Sequence, residues 1–287
     1  MGKVAKNIAI LGAGGSMGLW FAKYFLSLKY NVTGFDSEKE IKVKNVINAN
    51  SLVGAILTAD YVILCTPARK TPEIIRLIAK EMKRGAYLVD IASQKSKTSS
   101  ALAKIPAKIS PICIHPMFGP GTSSIKGKNV ISIPIRDAKK ELTVTKQLLA
   151  GANFVTIDAN EHDKRIASIL GLTHMVNLIF ANIISKDEKS GLTDKMSGVT
   201  FKTQKILAES ILTESPQLIE SIISNPELRR IAEEFWKDMG RMLTSVQDTK
   251  IEEIVNYINT CKERLDANSD VTTSVKKMKT ISRVLEK

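Results

Sequence analysis

The sequence predicts an α/β domain with a doubly wound parallel sheet, followed by an all-helical domain. Three observations predict this order. Short apolar strands alternate with helical patterns in the first half of the chain, a glycine-rich turn follows the first strand, and no convincing strand appears in the second half. We therefore expect one domain over residues 1–157 and a second over residues 158–287.

The strands of the first half are short runs of apolar residues. The helical patterns between them supply the crossovers that parallel neighbours need. Helices on both faces of such a sheet bury both faces of each strand, which explains why the runs are almost continuously apolar. Six runs qualify, at residues 7–11, 31–36, 61–67, 86–93, 112–115 and 129–134.

The second half carries signals for helices. The sequence DANE at 158–161 is a capping box that begins the first helix. Ser-Pro and Asn-Pro pairs begin later ones, with proline at an early helical position. Helices so rich in Ile, Leu, Met and Phe need an apolar neighbour, and we predict a homodimer built on them.

Composition excludes several classes of protein. The chain has 287 residues, of which 44% are hydrophobic, enough for two ordinary domains. Its net charge of +13 is spread along the chain, and aromatic residues make up 5%, too few for a base-stacking surface. We therefore expect no nucleic-acid partner and interpret the charge as solvated surface that also attracts an anionic small molecule.

The cysteines favour a reducing compartment. Cys65, Cys113 and Cys261 lie far apart, with no CxxC pair and no Cys/His cluster. This spacing predicts neither a disulfide scaffold nor a metal site. We expect a cytoplasmic protein.

One apolar run approaches the length of a membrane span. Residues 166–184 carry no formal charge, and about 20 residues suffice to cross a bilayer. His174, Asn177 and Asn182 interrupt the run. We therefore expect a buried helix of a soluble domain and no membrane partner.

The glycine-rich turn predicts a Rossmann-type dinucleotide site. Glycine lets backbone N–H groups approach a pyrophosphate, and the next helix directs its positive N-terminus at the same group. The spacing fits GxxGxxG better than GxGxxG, so the strand before it and the helix after it carry the interpretation. The predicted cofactor contacts in this turn are Gly12, Gly14, Gly15, Ser16, Met17 and Gly18.

Further cofactor contacts are predicted at two other strand ends. Asp36 ends the second strand, where a carboxylate accepts hydrogen bonds from ribose hydroxyls and repels a 2′-phosphate. This favours NAD, although Lys39 and Lys42 keep NADP open. Thr66 and Pro67 end the third strand, where the nicotinamide side of the cofactor is expected to pass.

His115 ends an apolar strand in the stretch ICIHPMFGPG. Ligands of open α/β sheets bind beyond the carboxyl ends of the strands. An enzyme that transfers hydride from an alcohol must also take up the hydroxyl proton, and imidazole titrates near neutral pH. From these residues alone, a histidine bonded to backbone is an equally good interpretation.

Three stretches resemble the prephenate dehydrogenases of tyrosine biosynthesis. They are LVDIASQK (88–95), IHPMFGPG (114–121) and NEHDKRIASILGLTH (160–174). The resemblance implies an oxidoreductase that oxidatively decarboxylates prephenate with NAD, forming 4-hydroxyphenylpyruvate, CO₂ and NADH. It also implies a dinucleotide domain joined to a helical dimerisation domain. Arogenate dehydrogenase, with NAD or NADP, is the alternative, and a non-catalytic dinucleotide-sensing protein is a third possibility.

The resemblance also implies roles for individual residues. It makes His115 the base that takes the proton of the ring hydroxyl, and Ser93 a member of the same hydroxyl network. The chemistry needs no metal. His162 and His174 match family histidines, the first with local structure as the alternative and the second as a substrate contact or a core histidine.

The anchor for the substrate carboxylate departs from the family pattern. The family commonly has an arginine on a helix of the second domain, where this chain offers Lys202 or Lys205. Alignment on Pro216 favours Lys202. A lysine provides a point charge instead of a bidentate fork, and either lysine is as readily explained as a solvated charge.

Overall fold

The computed structural model describes residues 6–267 and 271–285. The chain divides into two compact units after Ile166. The first unit contains one sheet with helices on both faces, and the described residues of the second unit form helices and connecting loops. The predicted fold class is confirmed.

Within the described part of the first unit, the sheet has eight strands in the order β3-β2-β1-β4-β5-β6-β7-β8. All six predicted strands are present. The two additional strands, β3 and β8, pair at the two edges of the sheet and expose much of their length, so they lack the apolar run of a central strand. The strands are β1 (Asn7–Leu11), β2 (Asn31–Phe35), β3 (Ile47–Asn48), β4 (Tyr61–Leu64), β5 (Tyr87–Asp90), β6 (Ser110–Pro116), β7 (Asn129–Ile133) and β8 (Asn153–Thr156).

The strand order reverses beside β1, which pairs with β2 on one side and with β4 on the other. Such a reversal opens a crevice at the carboxyl ends of the strands, where ligands of doubly wound sheets bind. One detail of the prediction is wrong: β7 runs antiparallel to β6, so the sheet is not parallel throughout. No helix connects the two, and a connection without a crossover suits antiparallel neighbours.

The described residues 6–166 of the first unit form six helices, which cover both faces of the sheet. Successive residues of β1 point to opposite faces. Ile10 therefore lies in an apolar cluster with Phe21, and Leu11 lies in another with Ile75. The helices are α1 (Ser16–Ser27), α2 (Leu52–Ile56), α3 (Thr71–Ile78), α4 (Ser96–Ala103), α5 (Ala138–Leu148) and α6 (Ala159–Ile166).

The second unit begins with a π-helical turn, Ala167–Leu172. This turn packs against α10 and α11, and Gly171 lies where an added Cβ would come 3.1 Å from a methyl carbon of Leu228. Helix α7 packs against α9. The helices are α7 (Thr173–Ile184), α8 (Ser190–Met196), α9 (Val199–Leu212), α10 (Pro216–Ile223), α11 (Leu228–Gln247), α12 (Ile251–Asp266) and α13 (Val271–Leu285).

Helices α11 and α12 expose apolar side chains at helical spacing. Trp236, Met239 and Leu243 lie on one face of α11, and 72% of Trp236 is exposed. Val255 and Ile258 of α12 are exposed as well. These apolar side chains of α11 and α12 are therefore left exposed by the packing of the described residues.

The helical stretch Ala159–Ile184 is long and apolar enough to cross a membrane by length and composition, and an 18-residue window within it has a mean hydropathy of 1.7. Core helices of soluble proteins have the same properties, and 28% of this window is buried. In α7 the buried residues are His174, Asn177 and Ala181, whereas Ile179 and Ile183 are exposed. The predicted buried helix is therefore buried on one face, and its soluble character stays a prediction.

Candidate active site

The glycine turn between β1 and α1 has no room for side chains at three positions, Gly12, Gly14 and Gly18. Gly12 has φ +79°, and a Cβ there would overlap the carbonyl oxygen of Cys65. A Cβ on Gly18 would overlap the carbonyl oxygen of Gly12. The turn therefore brings the start of α1 close to the carboxyl ends of β1 and β4, at the reversal of the strand order.

Asp36 follows β2, and its hydrogen bonds hold residues 38–39 against the glycine turn. Its Oδ2 accepts the N–H of Gly14 at 3.0 Å, and its Oδ1 accepts the N–H groups of Glu38 and Lys39. A Cβ on Gly14 would lie 2.7 Å from the Cβ of Lys39. A carboxylate has about four acceptor positions, so one or more remain for further donors such as ribose hydroxyls.

Thr66 and Pro67 come after Cys65, the residue that follows β4, and lie beside this turn. The backbone nitrogen of Thr66 lies within contact distance of the position that a Cβ on Gly12 would occupy. The Pro67 carbonyl accepts the N–H groups of Lys70 and Thr71, and the hydroxyls of Thr66 and Thr71 are 2.9 Å apart. The glycine turn, the α1 N-terminus, Asp36 and this corner together fit a dinucleotide.

His115 lies near the carboxyl end of β6, and 5% of it is exposed. Its Nδ1 is 3.0 Å from Nε2 of His162, a residue of α6. The rings meet edge to face, with centroids 5.2 Å apart. The structure thus places His115 in a pair of buried imidazoles.

The second imidazole is held by a carboxylate. His162 Nδ1 is 2.8 Å from Oδ1 of Asp163. The same carboxylate accepts the N–H groups of Lys95 and Ser96, each at 2.8 Å, and also the Ser96 hydroxyl. Asp163 therefore caps the start of α4 and orients His162. Sequence reasoning missed this function, although the adjacent His-Asp pair in NEHDKR was a visible signal.

A buried ion pair closes the loop that contains Ser93. Lys95 and Asp90 are both fully buried, with Nζ 2.8 Å from Oδ2. Lys95 Nζ also donates to the carbonyl oxygen of Ile114 at 2.6 Å, so the loop is fastened to the residue before His115. The hydroxyl of half-buried Ser93 has no hydrogen-bond partner among the described residues. Ser93 follows β5 and His115 lies in β6, and these two strands are parallel neighbours in the sheet.

The loop after His115 is fastened to α1. Phe118 packs on Trp20, with ring centroids 5.0 Å apart. Trp20 Nε1 donates to the carbonyl oxygen of Thr122 at 2.7 Å. The loop that follows the imidazole and the helix that follows the glycine turn therefore pack as one piece.

The environment of His115 favours its neutral form. Burial, the Lys95 ammonium and His162 hold its pKa well below the usual range, against an opposing effect of Asp163. Burial raises the pKa of Asp163, but hydrogen bonds from His162, Ser96 and Lys95 outweigh it and leave that pKa lowered. At neutral pH the site holds an uncharged imidazole and an ionised carboxylate.

In the second unit, His174 is buried and bonded at both nitrogens. Its Nδ1 is 2.8 Å from the carbonyl oxygen of Leu170, and its Nε2 is 3.3 Å from Oε2 of Glu214. The Glu214 carboxylate raises the pKa of His174, although burial opposes the shift. Asn177, one turn further, accepts a hydrogen bond from Gln204 at 2.8 Å.

The two candidate lysines differ in their surroundings. Lys205 Nζ is bound to Asp194 at 2.7 and 2.8 Å and lies 3.9 Å from Glu209. Lys202 is exposed, and no acid of the described segments 6–267 and 271–285 lies within ion-pair distance of it. Lys205 is therefore neutralised by the protein, whereas Lys202 is not.

Comparison with known families covers most of the chain. Residues 27–157 match the family model described as "Prephenate dehydrogenase, nucleotide-binding domain", and residues 158–260 match "Prephenate dehydrogenase, dimerization domain". The two matches are contiguous. The chain belongs to the prephenate dehydrogenase family. In this prephenate dehydrogenase family member, the matched residues include Ser93, His115 and His162, whereas the glycine turn precedes the first match.

Curated relatives of this prephenate dehydrogenase family member have related names. A "Probable arogenate/prephenate dehydrogenase" of Methanocaldococcus jannaschii is 30% identical over 246 residues, which are 80% of this chain and 54% of that protein. The "T-protein" of Enterobacter agglomerans is 26% identical over 77% of this chain and 57% of its own length. The "Prephenate dehydrogenase" of Lactococcus lactis is 24% identical over 90% and 76%. The chain thus spans a little over half of the first two relatives.

Solved structures show the same fold for this family member. A prephenate dehydrogenase from Aquifex aeolicus, in complex with hydroxyphenyl propionate and NAD⁺, aligns with a TM-score of 0.72 and 22% identity, over 93% of this chain and all of that one. An arogenate dehydrogenase from Synechocystis aligns with a TM-score of 0.65 and 16% identity, over 92% of this chain and all of that one.

Proposed function

We propose that the chain is a prephenate dehydrogenase that oxidatively decarboxylates prephenate with NAD and forms 4-hydroxyphenylpyruvate, CO₂ and NADH. The observation that carries the proposal is the placement of His115. It is a neutral, buried imidazole near the carboxyl end of a strand in a dinucleotide-type sheet, within a chain of the prephenate dehydrogenase family.

In the proposed reaction, His115 handles the proton of the ring hydroxyl. The hydroxyl O–H bond breaks and its proton goes to the imidazole. The hydrogen on the ring carbon that bears this hydroxyl leaves with its electron pair as hydride. The ring carboxylate then leaves as CO₂, and its electron pair makes the ring aromatic. The new phenolate oxygen takes a proton back, so His115 returns to its neutral form. A positioned base of this kind contributes about 10²–10⁴-fold.

We propose that NAD is the cofactor. A nicotinamide dinucleotide supplies the hydride acceptor. The pyrophosphate would be held by Gly12, Gly18 and the start of α1. The Asp36 carboxylate would accept hydrogen bonds from the ribose hydroxyls. The Aquifex aeolicus prephenate dehydrogenase was solved in complex with NAD⁺, which supports this choice. NADP stays open because Lys39 lies next to Asp36.

For the substrate, we propose Lys202 as the carboxylate anchor, ahead of Lys205. Asp194 and Glu209 already pair with Lys205, whereas no acid of the described segments pairs with Lys202, which leaves its ammonium for an anionic ligand. His174, with a raised pKa, is the proposed second contact. Lys202→Ala is expected to raise KM for prephenate and to leave KM for NAD unchanged. An unchanged KM for prephenate would contradict the assignment.

Arogenate dehydrogenase is the second candidate function, and Glu214 is the observation that favours it. Arogenate carries an ammonium group where prephenate has a keto group, and a carboxylate beside His174 suits such a cation. Names of two similar proteins also include arogenate. Glu214→Gln is expected to raise KM for arogenate more than KM for prephenate, although the variant also removes the group that raises the pKa of His174.

We propose that a second copy of the chain covers the apolar faces of α11 and α12. The description of the matched family domain as a dimerization domain supports this occupant. Leu243→Glu should convert the dimer to monomers in sedimentation analysis, whereas Lys237→Glu, a charge change at an exposed position of α11, should not. Monomeric wild-type protein would refute the proposal.

The cytoplasmic location and the domain boundary at residue 157 stay proposals.

The deciding experiment offers the purified protein prephenate or arogenate, each with NAD or NADP, and follows the absorbance of the reduced cofactor. We expect the strongest signal with prephenate and NAD. A His115→Asn variant serves as the control and should lose most of kcat while keeping its affinity for the cofactor. No reduction in any of the four combinations would refute the dehydrogenase proposal.

A further inference from the structure

Two buried groups of the first unit, His162 and Asp163, take no direct part in the proton transfer proposed for His115. We propose that they are positioning residues that fix the tautomer of His115 and so make its Nε2 the proton-accepting atom. The role of that atom rests on the proposed function, whereas the tautomer is a property of the protein alone.

Asp163 determines the first hydrogen position of the network. An ionised carboxylate only accepts hydrogen bonds. Three donors from Lys95 and Ser96 already point at it, and its lowered pKa keeps it ionised. Nδ1 of His162, 2.8 Å from Oδ1, must therefore carry a hydrogen and donate it.

The proposal takes His162 as a neutral imidazole. Its side chain is fully buried, and its Nδ1 is bonded to the Asp163 carboxylate. A neutral imidazole has one N–H group, and here that group is committed to Asp163. Nε2 of His162 is therefore an acceptor.

The tautomer of His115 follows from that acceptor. Its Nδ1 lies 3.0 Å from Nε2 of His162, so Nδ1 carries the hydrogen. Nε2 of His115 keeps its lone pair. Among the described residues, every fully buried side-chain nitrogen or oxygen has a hydrogen-bond partner. Nε2 of His115 has no such partner there, so this atom is not fully buried and is accessible to a ligand.

The arrangement also stabilises the product of proton transfer. When the substrate O–H bond breaks and an N–H bond forms at Nε2, His115 becomes an imidazolium. The groups whose charge acts on it are Lys95 and, when protonated, His162, which disfavour that cation, and Asp163, which favours it. The Nδ1–H group of His115 donates to His162, whose own Nδ1–H group donates to Asp163. This chain of hydrogen bonds connects the cation with a carboxylate that stabilises it, as the aspartate of a serine protease stabilises its histidine cation.

Nitrogen NMR tests the tautomer directly on the full chain. The sequence has three histidines, so ¹⁵N-labelled protein gives three ring systems, and His174→Gln assigns one of them. We expect the Nδ1–H tautomer at both His115 and His162. An Nε2–H tautomer at His115, or two protonated nitrogens at His162, would overturn the proposal.

Variants of His162 test its effect on catalysis. His162→Leu removes the acceptor, and we expect kcat to fall at least about 10-fold, with about 10⁴-fold as the upper bound for loss of a tautomer-fixing partner. KM for NAD should not change. His162→Gln offers an amide oxygen in the same place and should restore the Nδ1–H tautomer and most of kcat. Ser96→Ala, which removes a donor to Asp163 without touching an imidazole, should leave the tautomer unchanged.

The outcomes separate this inference from the proposed function. If the Leu variant keeps both the His115 tautomer and kcat, the positioning role is refuted. If the wild-type protein shows the expected tautomers but reduces neither cofactor with either substrate, the dehydrogenase proposal fails and the tautomer assignment stands. If the Leu variant does not fold, the wild-type spectrum and the Gln variant still decide.

Discussion

Removing one member of the buried Lys95–Asp90 pair should destabilise the first unit strongly. Lys95→Met keeps most of the side-chain volume but leaves the Asp90 carboxylate buried without its cation. Breaking such a pair from one side costs about 3–5 kcal/mol. The change also removes a donor to the Ile114 carbonyl, so we expect the upper part of that range.

A double variant that also removes the Asp90 charge checks whether the loss of stability comes from the unpaired carboxylate. In Lys95→Met/Asp90→Asn the unpaired charge is gone, so the double variant should be more stable than Lys95→Met alone. Lys104→Met makes the same change at an exposed lysine and should alter stability by about 0.5 kcal/mol or less.

Tryptophan fluorescence during guanidinium unfolding measures these changes. The chain has two tryptophans, so a Trp236→Phe background leaves Trp20, which stacks on Tyr24 in the first unit. The free energy of unfolding is compared among the four proteins. A loss below about 1 kcal/mol for Lys95→Met, or a double variant no more stable than the single one, would refute the reasoning.

Three other outcomes are expected. Gly12→Ala should abolish cofactor binding in titration calorimetry and destabilise the protein by more than about 1–2 kcal/mol, because φ +79° and the Cys65 carbonyl both oppose a Cβ, whereas Gly121→Ala, with open space around it, should bind normally. The raised pKa of His174 means that its bond to Glu214 stabilises the second unit fully below about pH 6.5 and that this contribution is lost as pH rises through the folded-state pKa. His174→Gln should remove that pH dependence from unfolding followed by circular dichroism, and an unchanged slope would assign it elsewhere. Asp36→Ser should raise the ratio of NADP to NAD affinity in binding titrations, and a constant ratio would contradict the assigned role of the carboxylate.

The sequence predicted what depends on local pattern. Central strands such as β1 and β4 are apolar runs buried on both faces, and the glycine turn is fixed by the backbone conformation that it needs. Strand β8 was missed because an exposed edge strand has no such run. The antiparallel β7 could not be predicted, since pairing direction follows from the connection to β6 and not from the residues of the strand.

The site was predicted in part. His115 and Ser93 carry recognisable signals at strand ends, and the structure brings those two strand ends together. The contact of His115 with His162 joins residues far apart in the chain, so it depends on how α6 packs and has no local signature. Lys95, which resembles a surface lysine in sequence, is fully buried because Asp90 and a backbone carbonyl receive its three-donor head.

Asp163 serves two purposes at once, since it caps α4 and orients His162. A mutation at this position should therefore act on protein abundance as well as on turnover. A lost cap costs about 0.5–2 kcal/mol, enough to change the amount of folded protein in a cell several-fold. Cells that make an Asp163→Ala chain and are fed the product of the proposed reaction should grow, yet still contain less of the protein than cells that make a His115→Asn chain.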